Sequence, residues 1–239
     1  MIREEHVRYY KEHGFIVIKQ ALDRETVTAL STQVSLISSV YPELMVTEKS
    51  KTDGRDIPFQ LRCFVHKSAW LKQWILEAEI FRNLESLTGG ACNLIVDSFK
   101  FKYPGGGDFH AHQDMQGRVI EYLNRINAKP DTPRISNVIT ICIAVDPQSV
   151  ENGCLEVADG MHKYGFLGQQ GENIDLSVAD KFEFTPLFLN PGDVVYFDGY
   201  LPHRSLCNRS NTTRKAFFLF FNRAEEGDYY PFAQSFFGV

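Results

Sequence analysis

What this 239-residue sequence lacks narrows its chemistry first. Its five cysteines (Cys63, Cys92, Cys142, Cys154 and Cys207) are odd in number, widely spread and form no CxxC pair. That disfavours a disulfide framework or a cysteine-built zinc site and points to a reducing, cytoplasmic setting with free buried thiols. No stretch of 18 or more apolar residues occurs, so no membrane span is expected. The charged start Met1-Ile2-Arg3-Glu4-Glu5-His6 does not read as a signal peptide. A basic excess is missing too: the net charge is −5 and Lys and Arg are scattered, which argues against a nucleic-acid or membrane-surface partner. Repeats, low-complexity tracts and a recognisable linker are absent, so one domain over residues 1–239 is expected.

The residues that are present change their period near Gly90. Before it, the pattern is mainly helical. A short polar helix stops at Gly14, and Phe15-Ile16-Val17-Ile18 suits a buried strand. Asp23 can cap a helix with apolar positions Val27, Leu30, Val34 and Ile37. Residues 45–60 read as a polar loop, and Ser68 can cap one further helix carrying Leu71, Ile75, Ile80 and Leu84 up to Gly89-Gly90. After Gly90 the chain alternates. From Leu94 to Tyr103, Val96, Ser98, Lys100 and Lys102 share one strand face, while Asp97, Phe99, Phe101 and Tyr103 share the other. Further β-rich runs are Ile135 to Val145, Cys154 to Val157, Leu187 to Leu189, Val194 to Phe197 and Ala216 to Asn222, separated by Gly, Pro and Asn turns. The expectation is an α+β fold. Helical support lies mainly in 1–90, and a β-sandwich or jelly-roll core lies mainly in 91–225.

Chemistry concentrates at His112-Gln113-Asp114 and His203. On an extended segment His112 and Asp114 leave the same face, and both could reach one ion. A distant histidine would complete two imidazoles and a carboxylate, a set that leaves coordination positions open for oxygen chemistry. Alone, the tripeptide is also compatible with a hydrogen-bonded loop histidine. His203 follows the apolar strand Val194-Val195-Tyr196-Phe197, and Pro202 stiffens the loop presenting it. Arg214 comes eleven residues later, at the mouth of the last long strand, where a surface arginine in a charged turn is the bland reading.

The order His112-x-Asp114, His203-x-Ser205, Arg214 resembles the phytanoyl-CoA dioxygenase family of iron(II)/2-oxoglutarate oxygenases. Other fragments along the chain are similar to that family. They are Tyr9-Tyr10-Lys11-Glu12-His13-Gly14-Phe15-Ile16-Val17-Ile18; Asn152-Gly153-Cys154-Leu155-Glu156-Val157 leading to Gly160-Met161-His162-Lys163; and Asn190-Pro191-Gly192-Asp193-Val194. Ala158-Asp159 stands where the family more usually has Pro or Val-Pro.

The resemblance implies a double-stranded β-helix in which His112, Asp114 and His203 bind Fe(2+). It further implies that 2-oxoglutarate chelates the metal and that O2 is the oxidant. The reaction implied is hydroxylation of an unactivated C–H of a small organic metabolite, with succinate and CO2 released. Arg214 suits the far carboxylate of the co-substrate because a guanidinium can grip it through two parallel hydrogen bonds, and Ser205 can add a hydroxyl. Gln113 and Thr140 are further candidates to touch the pocket. Lys100 could approach the inner carboxylate, or could face solvent with Lys102. Gln60 and Arg62 could bind an anionic group. His162 is either a support or a structural histidine, and His110 lacks a carboxylate partner two residues on. Asp114 distinguishes hydroxylation from halogenation, because related halogenases replace the carboxylate.

Two other readings are compatible with these residues. One is a cupin-like metalloenzyme that does not use 2-oxoglutarate, and the other is a non-catalytic β-sandwich binding protein. The segments 115–134 and 166–184 are candidate lids. The acidic balance favours a small polar or zwitterionic substrate, and the aromatic tail from Tyr229 packs on the sandwich or covers an interface.

Overall fold

The computed structural model describes residues 2–126 and 134–239. Helix α1 (Glu4–His13) ends at Gly14, whose φ of 79° a side chain would resist, and β1 (Phe15–Ile18) follows at once. Helix α2 (Arg24–Val40) begins as the sequence dictates. The Asp23 carboxylate accepts the Thr26 N–H at 2.7 Å, a cap worth about 1 kcal/mol, and Val27, Leu30, Val34 and Ile37 form its buried stripe.

Two expectations about the first ninety residues fail. The polar stretch 45–60 is a hairpin of β2 (Met45–Lys49) and β3 (Asp56–Arg62), not a loop. Its outer strand β2 closes one edge of the sheet, and of the hairpin's strand residues only Ile57, Gln60 and Leu61 are buried, so the apolar signal is thin. The single helix after Ser68 is two, α3 (Ala69–Glu77) and α4 (Glu79–Thr88), broken where Ala78 takes extended backbone at ψ 139°.

The larger sheet runs β1-β9-β6-β11-β4-β3-β2, with β4 (Cys92–Lys102), β6 (Ile139–Ala144), β9 (Val194–Asp198) and β11 (Arg214–Arg223). The smaller runs β5-β10-β7-β8, with β5 (Phe109–His112), β7 (Glu156–Val157), β8 (Thr185–Pro186) and β10 (His203–Ser205). All pairings between these strands are antiparallel.

Alternation along each strand decides which layer a residue joins. Ile139, Ile141 and Ile143 of β6, with Phe217 and Leu219 of β11, pack against Leu30, Val34, Leu71 and Leu84 of the helices. Truncating a fully buried phenylalanine such as Phe217 to alanine would cost about 3–5 kcal/mol. The opposite face of β6, Cys142 and Ala144, packs against Leu155, Val157 and Leu201 of the smaller sheet's side. Small residues there let the two sheets approach. A cavity between the two sheets, lined by Lys100, Arg214 and Phe218 of the larger and by His112, His203 and Ser205 of the smaller, holds the site. No helix among the described residues is long and apolar enough to cross a membrane, and all five cysteines are free.

Candidate metal centre

His112 ends β5 and His203 opens β10, and antiparallel pairing sets the two residues directly opposite each other. Their ring centroids lie 4.2 Å apart. Gln113 keeps extended backbone (φ −118°, ψ 136°) between β5 and the 3-10 turn Asp114–Gln116, so His112 and Asp114 leave the same face, as the sequence reading expects. The turn is tied down by the Met115 N–H donating to the Gly199 carbonyl at 2.9 Å. Asp114 Oδ1 lies 4.0 Å from His112 Nε2 and 3.7 Å from His203 Nε2. One ligand atom from each residue falls within 4.8 Å of the others.

The donor set fits a divalent metal on three further grounds. Each imidazole gives Nδ1–H to a backbone carbonyl, His112 to His110 at 2.7 Å and His203 to Leu201 at 3.0 Å, so both Nε2 lone pairs are left for a ligand. Burial, with His203 beside it, pushes the His112 imidazole down to about 4, so it is neutral near pH 7. Thr140 donates to Asp114 Oδ2 at 2.6 Å, which leaves Oδ1 as the oxygen nearest both histidines. Two nitrogens and one carboxylate suit Fe(II) and leave coordination positions open.

Two cavities meet at this triad. The inner one, about 70 Å³, is bounded by His112, Asp114, His203, Ser205, Arg214 and Lys100, with Phe109, Leu155, Phe218 and Phe220 as apolar wall. The outer one, about 470 Å³, shares His112, Asp114, Lys100 and Phe220 and adds Gln60, Arg62, Ser98 and Arg118. Arg214 is 3% exposed. Its Nη2 donates to Gly153 O at 2.5 Å and to Ser205 Oγ at 3.0 Å, while its Nε–H has no partner. Gly153 is required here: its φ is +70°, and a Cβ would come within 2.2 Å of the Leu206 carbonyl. The loop can therefore present its carbonyl to Ser205 and Arg214.

The other sequence candidates separate. Lys100 lies between the cavities with Nζ on Gln60 Oε1 and over the Phe109 ring at 4.7 Å, so its face of β4 points inward, not to solvent. Burial, then Arg62, pushes it down to about 7. Lys102 is inward as well, 3% exposed, and donates to Ser205 Oγ at 2.5 Å, Ser205 O at 3.0 Å and Leu206 O. The solvent-facing alternative for this lysine pair is thus overturned.

Gln113 borders neither cavity. Its amide donates to Gly165 O at 2.8 Å and Tyr200 O at 2.5 Å, and accepts from Leu167 N at 2.8 Å, bracing the loop behind the site. Thr140 also borders neither; it holds the Asp114 carboxylate instead. Ser205 stands beside Arg214. His162 donates to or accepts from no triad member: its Nε2 meets the Lys11 carbonyl at 3.2 Å. His110 is exposed.

Of the candidate lids, the stretch after Asp114 is largely helix α5 (Arg118–Ile126), and Gly117, Arg118, Val119 and Ile120 border the outer cavity. Residues 127–133 of that segment lie outside the described residues. The segment 166–184 instead packs Leu167, Ile174, Phe182 and Phe184 around Ala111. Sequence reasoning did not foresee that the aromatic tail, as helix α7 (Tyr230–Phe237), puts Phe236 and Phe237 on the outer cavity. Its anchor is Tyr230, whose hydroxyl donates to the buried Asp97 at 2.5 Å. The spacing of two aromatics six and seven residues past that tyrosine carries no signal of its own.

Comparison with known proteins agrees with this geometry. The family model described as phytanoyl-CoA dioxygenase (PhyH) matches residues 10–216. A 2-aminoethylphosphonate dioxygenase from the uncultured bacterium HF130_AEPn_1 is 30% identical over 76% of this chain, and a methylphosphonate hydroxylase from Gimesia maris is 33% identical over 67% of it. The matched stretches span 65% and 56% of those relatives' own lengths. Among solved structures, the carbocyclase SnoK from nogalamycin biosynthesis has a TM-score of 0.76 at 21% identity, covering 93% of this chain and 85% of that one. EctD from S. alaskensis, solved with 2-oxoglutarate and 5-hydroxyectoine, has a TM-score of 0.76 at 17% identity, covering 94% and 77%. These likenesses show the double-stranded β-helix fold expected from the sequence. With the matching family model spanning most of its length, the chain belongs to the phytanoyl-CoA dioxygenase family.

Proposed function

We propose that this chain is an oxygenase dependent on Fe(2+), 2-oxoglutarate and O2 that hydroxylates a C–H of a small organic metabolite, with release of succinate and CO2. The observation that carries the reading is Arg214. A buried guanidinium with an unpartnered N–H borders the same narrow cavity as the His-Asp-His set. Leaving that donor unmatched costs about 1–3 kcal/mol, which a carboxylate received through two parallel hydrogen bonds would offset. A molecule with a metal-chelating group at one end and a carboxylate at the other satisfies both ends of the cavity, and 2-oxoglutarate is such a molecule.

His112, Asp114 and His203 would hold the metal, and Arg214 with Ser205 would hold the remote carboxylate. Iron(II) with this co-substrate supplies, when bound, the activation of O2 and the oxidising power for C–H hydroxylation. The chain's own residues orient and shield. Thr140 fixes the rotation of the Asp114 carboxylate. The His110 and Leu201 carbonyls fix both imidazole tautomers. Phe109, Leu155 and Phe218 keep water from the inner cavity, which strengthens the Arg214 contact. The carboxylate at position 114 supports hydroxylation over halogenation. The relatives named for 2-aminoethylphosphonate and methylphosphonate support a small, polar substrate.

The test is iron and succinate stoichiometry. Purified chain is expected to take up one Fe(2+) and, in air, to convert 2-oxoglutarate to succinate one for one, with the Arg214→Met variant losing this turnover. Iron uptake with no succinate, or succinate release indifferent to Arg214→Met, would reject the reading in favour of an enzyme that works without the co-substrate.

A further inference from the structure

The outer cavity carries a cluster that the inner-cavity chemistry does not use. Gln60 is 1% exposed. Its Oε1 accepts from Ser98 Oγ at 3.0 Å and from Lys100 Nζ. An ammonium only donates, so the atom it touches must be the oxygen, and the amide orientation is fixed. Nε2 is therefore a true donor, and it is buried without any partner. Beside it stand two cations without counter-ions. No carboxylate among the described residues lies within salt-bridge distance of Arg62 or Lys100. The Arg62 guanidinium is instead stacked 4.9 Å over the Phe237 ring, and the Lys100 ammonium sits over Phe109. Arg118 stands at the exposed rim of the same cavity. Among the described residues the only acid bordering it is Asp114, which the metal reading already assigns. The rest of the wall includes Val96, Val119, Ile120, Phe220, Phe236 and Phe237, an apolar lining that suits a short carbon skeleton.

We propose that Gln60, Arg62 and Lys100 form an oxyanion cradle for the substrate, and that the substrate is a small organic molecule ending in a dianionic tetrahedral group of the phosphonate class. Basic groups without counter-ions in a partly desolvated chamber favour an anion, and two arginines with a lysine that an incoming anion would hold protonated favour a dianion over a single carboxylate. The unpartnered amide N–H adds a directional donor that a neutral substrate could not match as well. Because Lys100, His112 and Asp114 border both cavities, an anion held at the cradle would extend its carbon skeleton toward the metal-ligand set. That last point rests on the oxygenase reading; the cradle itself does not.

The test uses methylphosphonate, with acetate and methanesulfonate as matched probes, followed by NMR on the metal-free chain, and anaerobic addition of iron(II) and 2-oxoglutarate to the same preparations. The wild type is expected to give a saturable phosphorus shift, with methylphosphonate bound at least tenfold more tightly than either probe. Gln60→Glu keeps the oxygen that Ser98 and Lys100 need but replaces the free N–H with a negative oxygen, so it should abolish the shift. Arg62→Met should weaken binding at least tenfold. Both variants should still form the visible iron(II)–2-oxoglutarate absorption band. An unchanged shift in Gln60→Glu and Arg62→Met, or equal binding of acetate, would overturn the proposal. A phosphorus shift without the absorption band in the wild type would leave the cradle standing and overturn the oxygenase reading instead.

Discussion

Two groups of cations, a buried inner pair and a half-buried outer pair, flank the His112–Asp114–His203 cluster, and they are finished to different degrees. In the inner group, the protein itself supplies most partners. Lys102 donates to Ser205 and Leu206, and Arg214 donates through Nη2 to Gly153 and Ser205, while its buried Nε–H has no partner among the described residues. In the outer group, among the described residues, Lys100 has one glutamine oxygen and aromatic faces, Arg62 has an aromatic face, and the buried Gln60 amide N–H has no partner. Both groups sit on the same face of β4 or its neighbours, so strand period does not separate them. The difference lies in what remains to be satisfied. One fixed guanidinium with an unengaged edge suits one carboxylate at a set distance, whereas several loosely held cations suit an anion that comes and goes. Lys100 and Lys102 make the contrast within one strand: two residues apart, one is locked to the protein and the other is left to the cavity.

Substitutions can break this division. The largest effect is expected from Asp114→Ala, which removes the carboxylate common to both cavities: bound iron should fall from one per chain to below a tenth, read by metal analysis. Arg214→Met should come next. Removing one partner of a buried charged pair costs about 2–4 kcal/mol, so 2-oxoglutarate affinity should fall about 30- to 1000-fold while iron content holds. Arg62→Met should invert that pattern, raising the substrate KM with 2-oxoglutarate affinity unchanged. Thr140→Val keeps the ligand but frees its rotation, and iron affinity should drop about 10-fold, as for other lost outer partners of metal ligands. The smallest effect is expected from Lys102→Met. It acts only through Ser205, so 2-oxoglutarate affinity should change by a few-fold; a loss as large as that of Arg214→Met would show that Lys102 itself holds the co-substrate.

The sequence was informative where chemistry and period coincide. Asp23 before a stripe at helical spacing gives α2 and its cap, and the triad, Ser205 and Arg214 carry enough side-chain chemistry in order to resemble a family. It was uninformative in three physical situations. A break between helices that costs only one extended residue, as at Ala78, leaves no Gly or Pro to mark it. Strands as short as β5 and β10 have no period to detect, yet their pairing is what opposes His112 and His203. An edge hairpin such as β2–β3 needs few apolar residues and so reads as loop, which concealed the position of Gln60 and Arg62. Lys102 was misplaced for a related reason. Lysines are seldom buried, and only the arrangement of carbonyls and a hydroxyl around its ammonium shows why this one is.

The division of labour between the two cation groups is tested most directly by anaerobic titration of the iron(II)-loaded chain with 2-oxoglutarate, following the visible metal-to-ligand absorption band. The account predicts one equivalent of 2-oxoglutarate per chain for the wild type and for Arg62→Met, and a greatly weakened band for Arg214→Met. A band that survives in Arg214→Met and disappears in Arg62→Met would contradict it.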